Sequence, residues 1–130
     1  MTMNAIEATK ISIERKPLFE AEMKIKYEQE ELVKLERILT AINDCANRGE
    51  QSLKWRYGYE GHEYGFLNQD NKSKLEAMGF FIDDWYSYSY STYFTIAWGD
   101  EIEKVKQHKK QRDDEMAESL KPKKKWYQIF

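Results

Sequence analysis

The residues of this sequence that could perform acid–base or nucleophilic chemistry are few and scattered. Two histidines, His62 and His108, lie far apart in the chain, and Cys45 is its one cysteine. Asp83 and Asp84 are adjacent, but neighbouring residues of a strand point to opposite faces of a sheet, so they are not expected to share a proton. We interpret the two carboxylates as a solvated strand end and Cys45 as a small core residue. The sequence therefore predicts no catalytic residues.

The motifs that hold metals, phosphates or acyl groups are also missing. The sequence contains no HExxH or CxxC spacing, no Gly-rich nucleotide loop and no GxSxG elbow. We therefore expect a protein that is not an enzyme and that uses neither a metal nor a cofactor. One cysteine excludes an internal disulfide and fits a reducing, cytoplasmic compartment.

Aromatic residues are the more informative feature. Fourteen of the nineteen lie between Trp55 and Trp98. Tyrosine is rigid and amphipathic and is enriched at recognition surfaces, and basic residues nearby could bind phosphate. We predict a ligand or partner surface made of Lys54, Arg56, Tyr57, Tyr59, Tyr86, Tyr88 and Tyr90. The alternative is that these are ordinary sheet residues whose hydroxyl groups point to water.

Charge and hydropathy limit the partners of this surface. Residues 50–99 hold four Lys or Arg against seven Asp or Glu, and the whole chain carries a net charge of −2. A single-stranded nucleic-acid platform needs more positive charge, so nucleic acid is a poor partner. No apolar run approaches the ~20 residues of a membrane span, and residues 1–13 lack the apolar core of a secretory signal. We expect a protein or a small ligand as the partner, and no membrane.

A long amphipathic helix must organise the first third of the chain. Pro17 suits its first position and Gly49 its end. An apolar residue recurs every seven positions, with further members three places later, at Leu18, Ala21, Ile25, Leu32, Leu35, Leu39, Ile42 and Ala46. Glu28 falls at one of the later positions and weakens the stripe. Either the stripe packs on the sheet of its own chain, or part of it mediates self-association.

The end of the chain offers a second candidate for self-association. An apolar aromatic segment follows a charged helix and would be adhesive in water. It either docks on its own domain or anchors another subunit. We predict a homo-oligomer with contacts at Leu18, Ile25, Leu32, Leu35, Trp126, Tyr127, Ile129 and Phe130.

Alternating and helical patterns predict the remaining elements. Strands are expected at 53–57, 80–86 and 93–98, with a short helix over 68–78 capped by Asp70 or Asn71 and directing Leu75 and Met78 to the core. A charged helix should span 100–120, with Lys109 and Arg112 in a solvated centre between Ile102, Val105, Met116 and Leu120. This order predicts an α+β fold, with the long helix packed on a mostly antiparallel three-stranded sheet. We divide the chain into an arm (1–16), a core domain (17–99), a charged helix (100–121) and an aromatic tail (122–130).

Two segments carry a resemblance to known proteins. Residues 74–80, Lys-Leu-Glu-Ala-Met-Gly-Phe, and residues 93–98, Tyr-Phe-Thr-Ile-Ala-Trp, resemble a helix end and a hairpin found in small phage-encoded accessory proteins. The match covers roughly residues 32–98 and transfers no catalytic residue. It implies a viral setting, with an accessory protein that acts on a host factor or a minor virion component. Together with the long helix and the aromatic surface, it predicts a non-enzymatic, oligomeric protein that binds and blocks a host protein or a small signalling ligand in the host cytoplasm. The alternative is a structural virion or assembly component whose long helix and tail link subunits.

Overall fold

The fold is α+β, as the sequence predicts. A computed structural model describes residues 3–58, 64–87 and 91–120. The elements are helix α1 (Ala5–Asn47), strand β1 (Ser52–Tyr57), helix α2 (Gln69–Ala77), strands β2 (Phe81–Tyr86) and β3 (Thr92–Ala97), and helix α3 (Glu101–Leu120). The chain forms two compact units, Met1–Thr40 and Ala41–Phe130. No helix within the described ranges combines the length and apolarity needed to cross a membrane.

Helix α1 begins a full three turns earlier than predicted. Asn4 caps it, because its side-chain oxygen accepts a hydrogen bond of 2.9 Å from the Glu7 backbone N–H. Pro17 lies inside the helix, so the prediction that the helix starts there is wrong. Proline removes one backbone hydrogen bond, but the flanking Glu, Lys and Ala residues favour the helix strongly enough to continue it.

The predicted end of α1 is confirmed. Gly49 has φ of 81°, and the Glu50 N–H donates to the Cys45 carbonyl at 3.0 Å while the Gly49 N–H donates to the Ala46 carbonyl at 3.0 Å. This is the Schellman arrangement, which needs a residue that tolerates positive φ. Cys45 is buried, as expected of a small core residue.

The sheet is antiparallel with strand order β1-β3-β2. Its register fixes the composition of each face, because side chains alternate along a strand. One face, which we call the apolar face, carries Leu53, Trp55, Ile82, Phe94 and Ile96, and all five are buried. The other, which we call the groove face, carries Lys54, Arg56, Asp83, Trp85, Tyr93 and Thr95.

Helix α2 is capped by a residue other than those predicted. The Asn68 side chain accepts a hydrogen bond of 2.8 Å from the Asn71 backbone N–H, so Asn68 is the N-cap and the choice of Asp70 or Asn71 is wrong. Leu75 is completely buried, as predicted. Met78 is 55% exposed, against the prediction, because it is the C-cap residue and lies beyond the last turn that faces the core.

Helix α3 is apolar on one side only near its start. Val105 is buried, whereas Met116 and Leu120 are 51% and 76% exposed. The predicted apolar stripe therefore does not continue to the end of the helix. The middle of the helix differs from the prediction more strongly, because Arg112 is half-buried; its contacts belong to the site described next.

Candidate functional site

The groove face carries two stacked aromatic rings. Trp85 of β2 and Tyr93 of β3 are register partners. Their ring centroids are 4.6 Å apart and their planes differ by 15°. The two rings are therefore stacked on each other across neighbouring strands. Both residues are half-buried, so part of this aromatic surface faces solvent.

Helix α3 forms one wall beside these rings. Val105, His108 and Arg112 lie at helical spacing on the side of α3 that lines the groove. The Arg112 guanidinium lies 4.9 Å from the Trp85 ring centre and donates a 2.6 Å hydrogen bond to Asp83. Arg112 therefore attaches the wall to the sheet through both a ring and a carboxylate.

The two adjacent carboxylates form ion pairs with different helices. Asp83 points to the groove face, where its side chain is only 4% exposed in the ion pair with Arg112. Asp84 points to the opposite face and accepts a 3.0 Å hydrogen bond from Lys72 of α2. Their opposite orientation is confirmed, but the interpretation as a solvated strand end is wrong for Asp83. A buried carboxylate needs a paired cation, and the sequence provides that cation 29 residues later.

The open side of the groove is positively charged. Lys54 and Arg56 of β1 are exposed, and they sit opposite Thr95 and Tyr93 in the sheet register. Neither forms an ion pair with another described residue. Among the described residues that line the groove, Asp83 is the one carboxylate, and it is already bound to Arg112. An anionic group entering from the β1 side therefore meets two cations and, within this described lining, no unpaired acidic side chain.

The size of the groove suits a small molecule. Its volume is about 460 Å³, within the 300–1,000 Å³ typical of ligand pockets. Its lining combines the stacked rings with Lys54, Arg56 and His108. This arrangement can hold a planar ring and an anionic group at the same time.

The structure does not bring the residues of the predicted ligand surface together on one face of the sheet. Lys54 and Arg56 lie on the groove face, whereas Tyr57 and Tyr86 are both register partners of Thr92 on the opposite side. Tyr57 makes an edge contact with Phe66 at 5.6 Å. The other predicted surface residues, Tyr59, Tyr88 and Tyr90, lie outside the described residues, as do Trp126, Tyr127, Ile129 and Phe130.

The lining residues that the sequence analysis did not assign to a site include Asp83, Trp85, Tyr93, His108 and Arg112. Strand alternation alone could have placed Asp83 and Trp85 on one face. Their alignment with Tyr93 depends on the register of the hairpin, which the sequence did not fix. Arg112 follows Val105 by two helical turns, so its inward position was available from helical spacing.

A second cavity, of about 310 Å³, lies where α1 ends. Arg48 pairs with Glu50 at 3.3 Å and donates a long hydrogen bond of 3.4 Å to the Cys45 sulfur. Burial, reinforced by Glu50, raises the pKa of the Cys45 thiol. Hydrogen bonding to Arg48 lowers the pKa of Glu50, and the same pair raises the pKa of Arg48. A thiol with a raised pKa is a poor nucleophile, which supports a structural role for Cys45.

Comparison with known protein families, curated proteins and solved structures found no match to this chain. Across residues 3–58, 64–87 and 91–120, no three His, Cys, Asp or Glu side chains are grouped so that they could hold a metal ion. The candidate site is therefore defined by the geometry of the groove alone.

Proposed function

We propose that this protein binds, without chemical conversion, a small ligand that carries both a phosphate and a planar ring. The observation that carries the proposal is the position of Lys54 and Arg56, two exposed cations that share a sheet face with the Trp85–Tyr93 stack. A phosphate contributes charge-assisted hydrogen bonds to such cations. A planar ring gains contact with the half-buried aromatic surface beside them.

The charge balance of the groove favours this class of ligand over a cationic one. In the described part of the chain, the groove lining contains Lys54, Arg56 and Arg112 and a single carboxylate, Asp83. Because Asp83 is buried against Arg112, the charge that a ligand meets is positive. A nucleoside monophosphate has the required combination of ring, phosphate and size. In the phage setting implied by the sequence resemblance, such a protein would sequester a small signalling ligand of the host and thereby block its action.

Isothermal titration calorimetry of the full chain tests this proposal. The probes are adenosine monophosphate, adenosine and inorganic phosphate. In an open groove with two cations we expect the monophosphate to bind with a Kd of about 0.1 mM, or roughly −5.5 kcal/mol. Each fragment should bind more weakly, because it uses only half of the site.

Two variants locate the binding. Changing both Lys54→Ala and Arg56→Ala should weaken binding of the monophosphate by about tenfold or more, because two charge-assisted contacts are lost. Lys104→Ala is the matched control, since Lys104 is an exposed cation of α3 that pairs with Glu101 and does not line the groove. No heat with any probe, or equal weakening by the control, would contradict the proposal.

A further inference from the structure

The N-terminal part of α1 carries an apolar stripe that the described part of the chain leaves uncovered. Ile11, Leu18, Ile25 and Leu32 follow one another at seven-residue spacing, and we call them the outer stripe. They are 45%, 57%, 57% and 49% exposed. Exposed apolar side chains that are aligned along one side of a helix mark an interaction surface more often than scattered ones do.

The outer stripe is distinct from the buried side of the same helix. Leu35 and Ile38 are 7% and 1% exposed. At 3.6 residues per turn, Leu18 lies about 160°, and Ile25 about 140°, around the helix from Ile38. The sequence prediction joined Leu35 to this stripe, whereas the structure buries Leu35 and leaves Leu18, Ile25 and Leu32 exposed. The outer stripe is therefore available to a partner while Leu35 and Ile38 stay buried.

We infer that the outer stripe pairs with the outer stripe of a second copy of this chain, in antiparallel orientation. Seven-residue repetition is the pattern by which two helices keep one seam in contact along their length. A surface that pairs with itself across a two-fold axis is the commonest arrangement of homodimers. The inference is independent of the groove, because none of the outer-stripe residues lines it.

The orientation follows from the charges that flank the stripe. The residues one place before and four places after Ile11 are Lys10 and Arg15. Of the corresponding residues around Leu32, Glu36 is exposed, whereas Glu31 is buried and paired with Lys34 at 2.9 Å. Parallel helices would bring basic flanks against basic flanks and acidic against acidic. Antiparallel helices bring the basic end of one copy against the acidic end of the other, which lowers the electrostatic energy of the pair.

Glu14 and Glu28, each three places after a residue of the outer stripe, limit the strength of this pairing, and Glu28 provides its sharpest test. It lies three places after Ile25, where a dimer seam has its second set of apolar residues. Glu28→Leu should therefore tighten the dimer by about tenfold, since it replaces a carboxylate in the seam with a buried leucine. Glu30→Leu is the matched control, because Glu30 is also exposed but points away from the seam.

Sedimentation equilibrium of the full chain over the micromolar range measures the dimer. The wild type should dimerise, and the double change Leu18→Glu with Ile25→Glu should raise the dissociation constant by about 100-fold or more. Far-UV circular dichroism of that variant checks that α1 remains helical. A wild type that stays monomeric throughout, or Glu30→Leu tightening the dimer as much as Glu28→Leu, would overturn the inference.

Cross-linking decides the orientation. In a Cys45→Ala background, single cysteines replace Ile11 in one preparation and Leu32 in another, and a short bis-maleimide is added. The two positions are about 32 Å apart along one helix. Antiparallel pairing predicts cross-linked dimers in the mixture of both preparations and none in either alone. Cross-linking within each separate preparation would show parallel pairing and overturn the antiparallel assignment.

Discussion

The two faces of the sheet are built on different physical principles. The apolar face is closed by packing, because Phe94 is 1% exposed, stacks on Trp55 at 5.0 Å and meets Phe66 edge-on at 5.5 Å. The groove face is only partly covered, and its one helix is attached through Val105 and the Arg112–Asp83 pair. Stability should therefore reside mainly in the first face, and recognition in the second.

Asp83 and Asp84 show the same contrast at two neighbouring residues. Asp83 is buried against Arg112, while the ion pair of Asp84 with Lys72 has both side chains partly exposed, at 38% and 22%. A buried ion pair is costly to break, because removal of one partner leaves a charge without compensation. A solvated pair contributes little. One strand thus attaches two helices with very unequal strength.

The largest effect should come from the apolar face. Phe94→Ala removes a ring that is buried and contacted by two others, and we expect a loss of about 3–5 kcal/mol in the free energy of unfolding. Tyr93→Ala, the neighbouring change on the groove face, should cost about 1 kcal/mol, mainly the stack on Trp85. Urea denaturation measures both. Equal losses would mean that the groove face is packed as tightly as the apolar face.

The next largest effect should be a difference in stability between variants of Asp83 and Asp84. Asp83→Asn should lower the free energy of unfolding by about 3 kcal/mol, because it leaves the partly buried Arg112 without its counter-charge. Asp84→Asn should lower it by about 0.5 kcal/mol or less. Urea denaturation of both variants tests the contrast directly.

A double variant distinguishes the ion pair from simple packing. Asp83→Asn combined with Arg112→Met removes both charges, so the loss should be smaller than the sum of the two single losses. Strictly additive losses would show that the two side chains act independently, contrary to the contact between them.

These contrasts also explain which parts of the molecule the sequence could predict. Local signals were sufficient for the ends of helices, as at Gly49 and Gly79, whose φ values of 81° and 96° fit helix termination. They were also sufficient for the strands, the antiparallel hairpin and the burial of Leu75. They failed for Pro17, because the helix-forming residues on both sides offset the cost of its one missing backbone hydrogen bond.

The candidate site was harder to predict, because its residues come together only through the fold. Asp83 forms its ion pair with Arg112, which lies 29 residues away. In the sequence alone, both are charged residues that would be expected on the solvated surface. Tyr57 and Arg56 are adjacent in sequence yet lie on opposite faces. The predicted ligand surface, which was chosen by residue type, therefore combined residues from both faces of the sheet. The strand register, which the sequence did not determine, decides which side chains share a groove.

Cys45 tests whether the apolar face remains closed. Cys45 and Leu53, a residue of that face, line the same cavity. The thiol is buried and its pKa is raised, so at pH 8 the folded protein holds less thiolate than the unfolded chain. We expect reaction with a disulfide reagent to be at least about tenfold slower in the folded protein than in urea. Rapid stoichiometric labelling of the folded protein would show that this face opens.

The smallest effect should come from Glu50, beside Cys45 at the end of α1. Hydrogen bonds from Arg48 and Cys45 lower the pKa of Glu50 in the folded chain. The unfolded chain therefore takes up this proton at a higher pH than the folded chain does. The ionised Glu50 therefore adds to the free energy of unfolding at pH values above the ordinary pKa of a glutamate side chain. This contribution is lost as the pH falls through the lowered pKa that Glu50 has in the folded chain. Because Glu50 is exposed, screening by solvent keeps the effect small.

Glu50→Gln isolates this contribution. Its urea midpoint should fall slightly below that of the wild type at pH 7, and the two midpoints should converge in acid, as the pH falls through the lowered pKa of the folded wild type. High salt should narrow the difference at pH 7, since a Debye length of about 3 Å in 1 M salt screens an exposed ion pair. A difference in midpoint that persisted unchanged throughout the acid range and in high salt would have a different origin, namely the packing of the side chain rather than its charge.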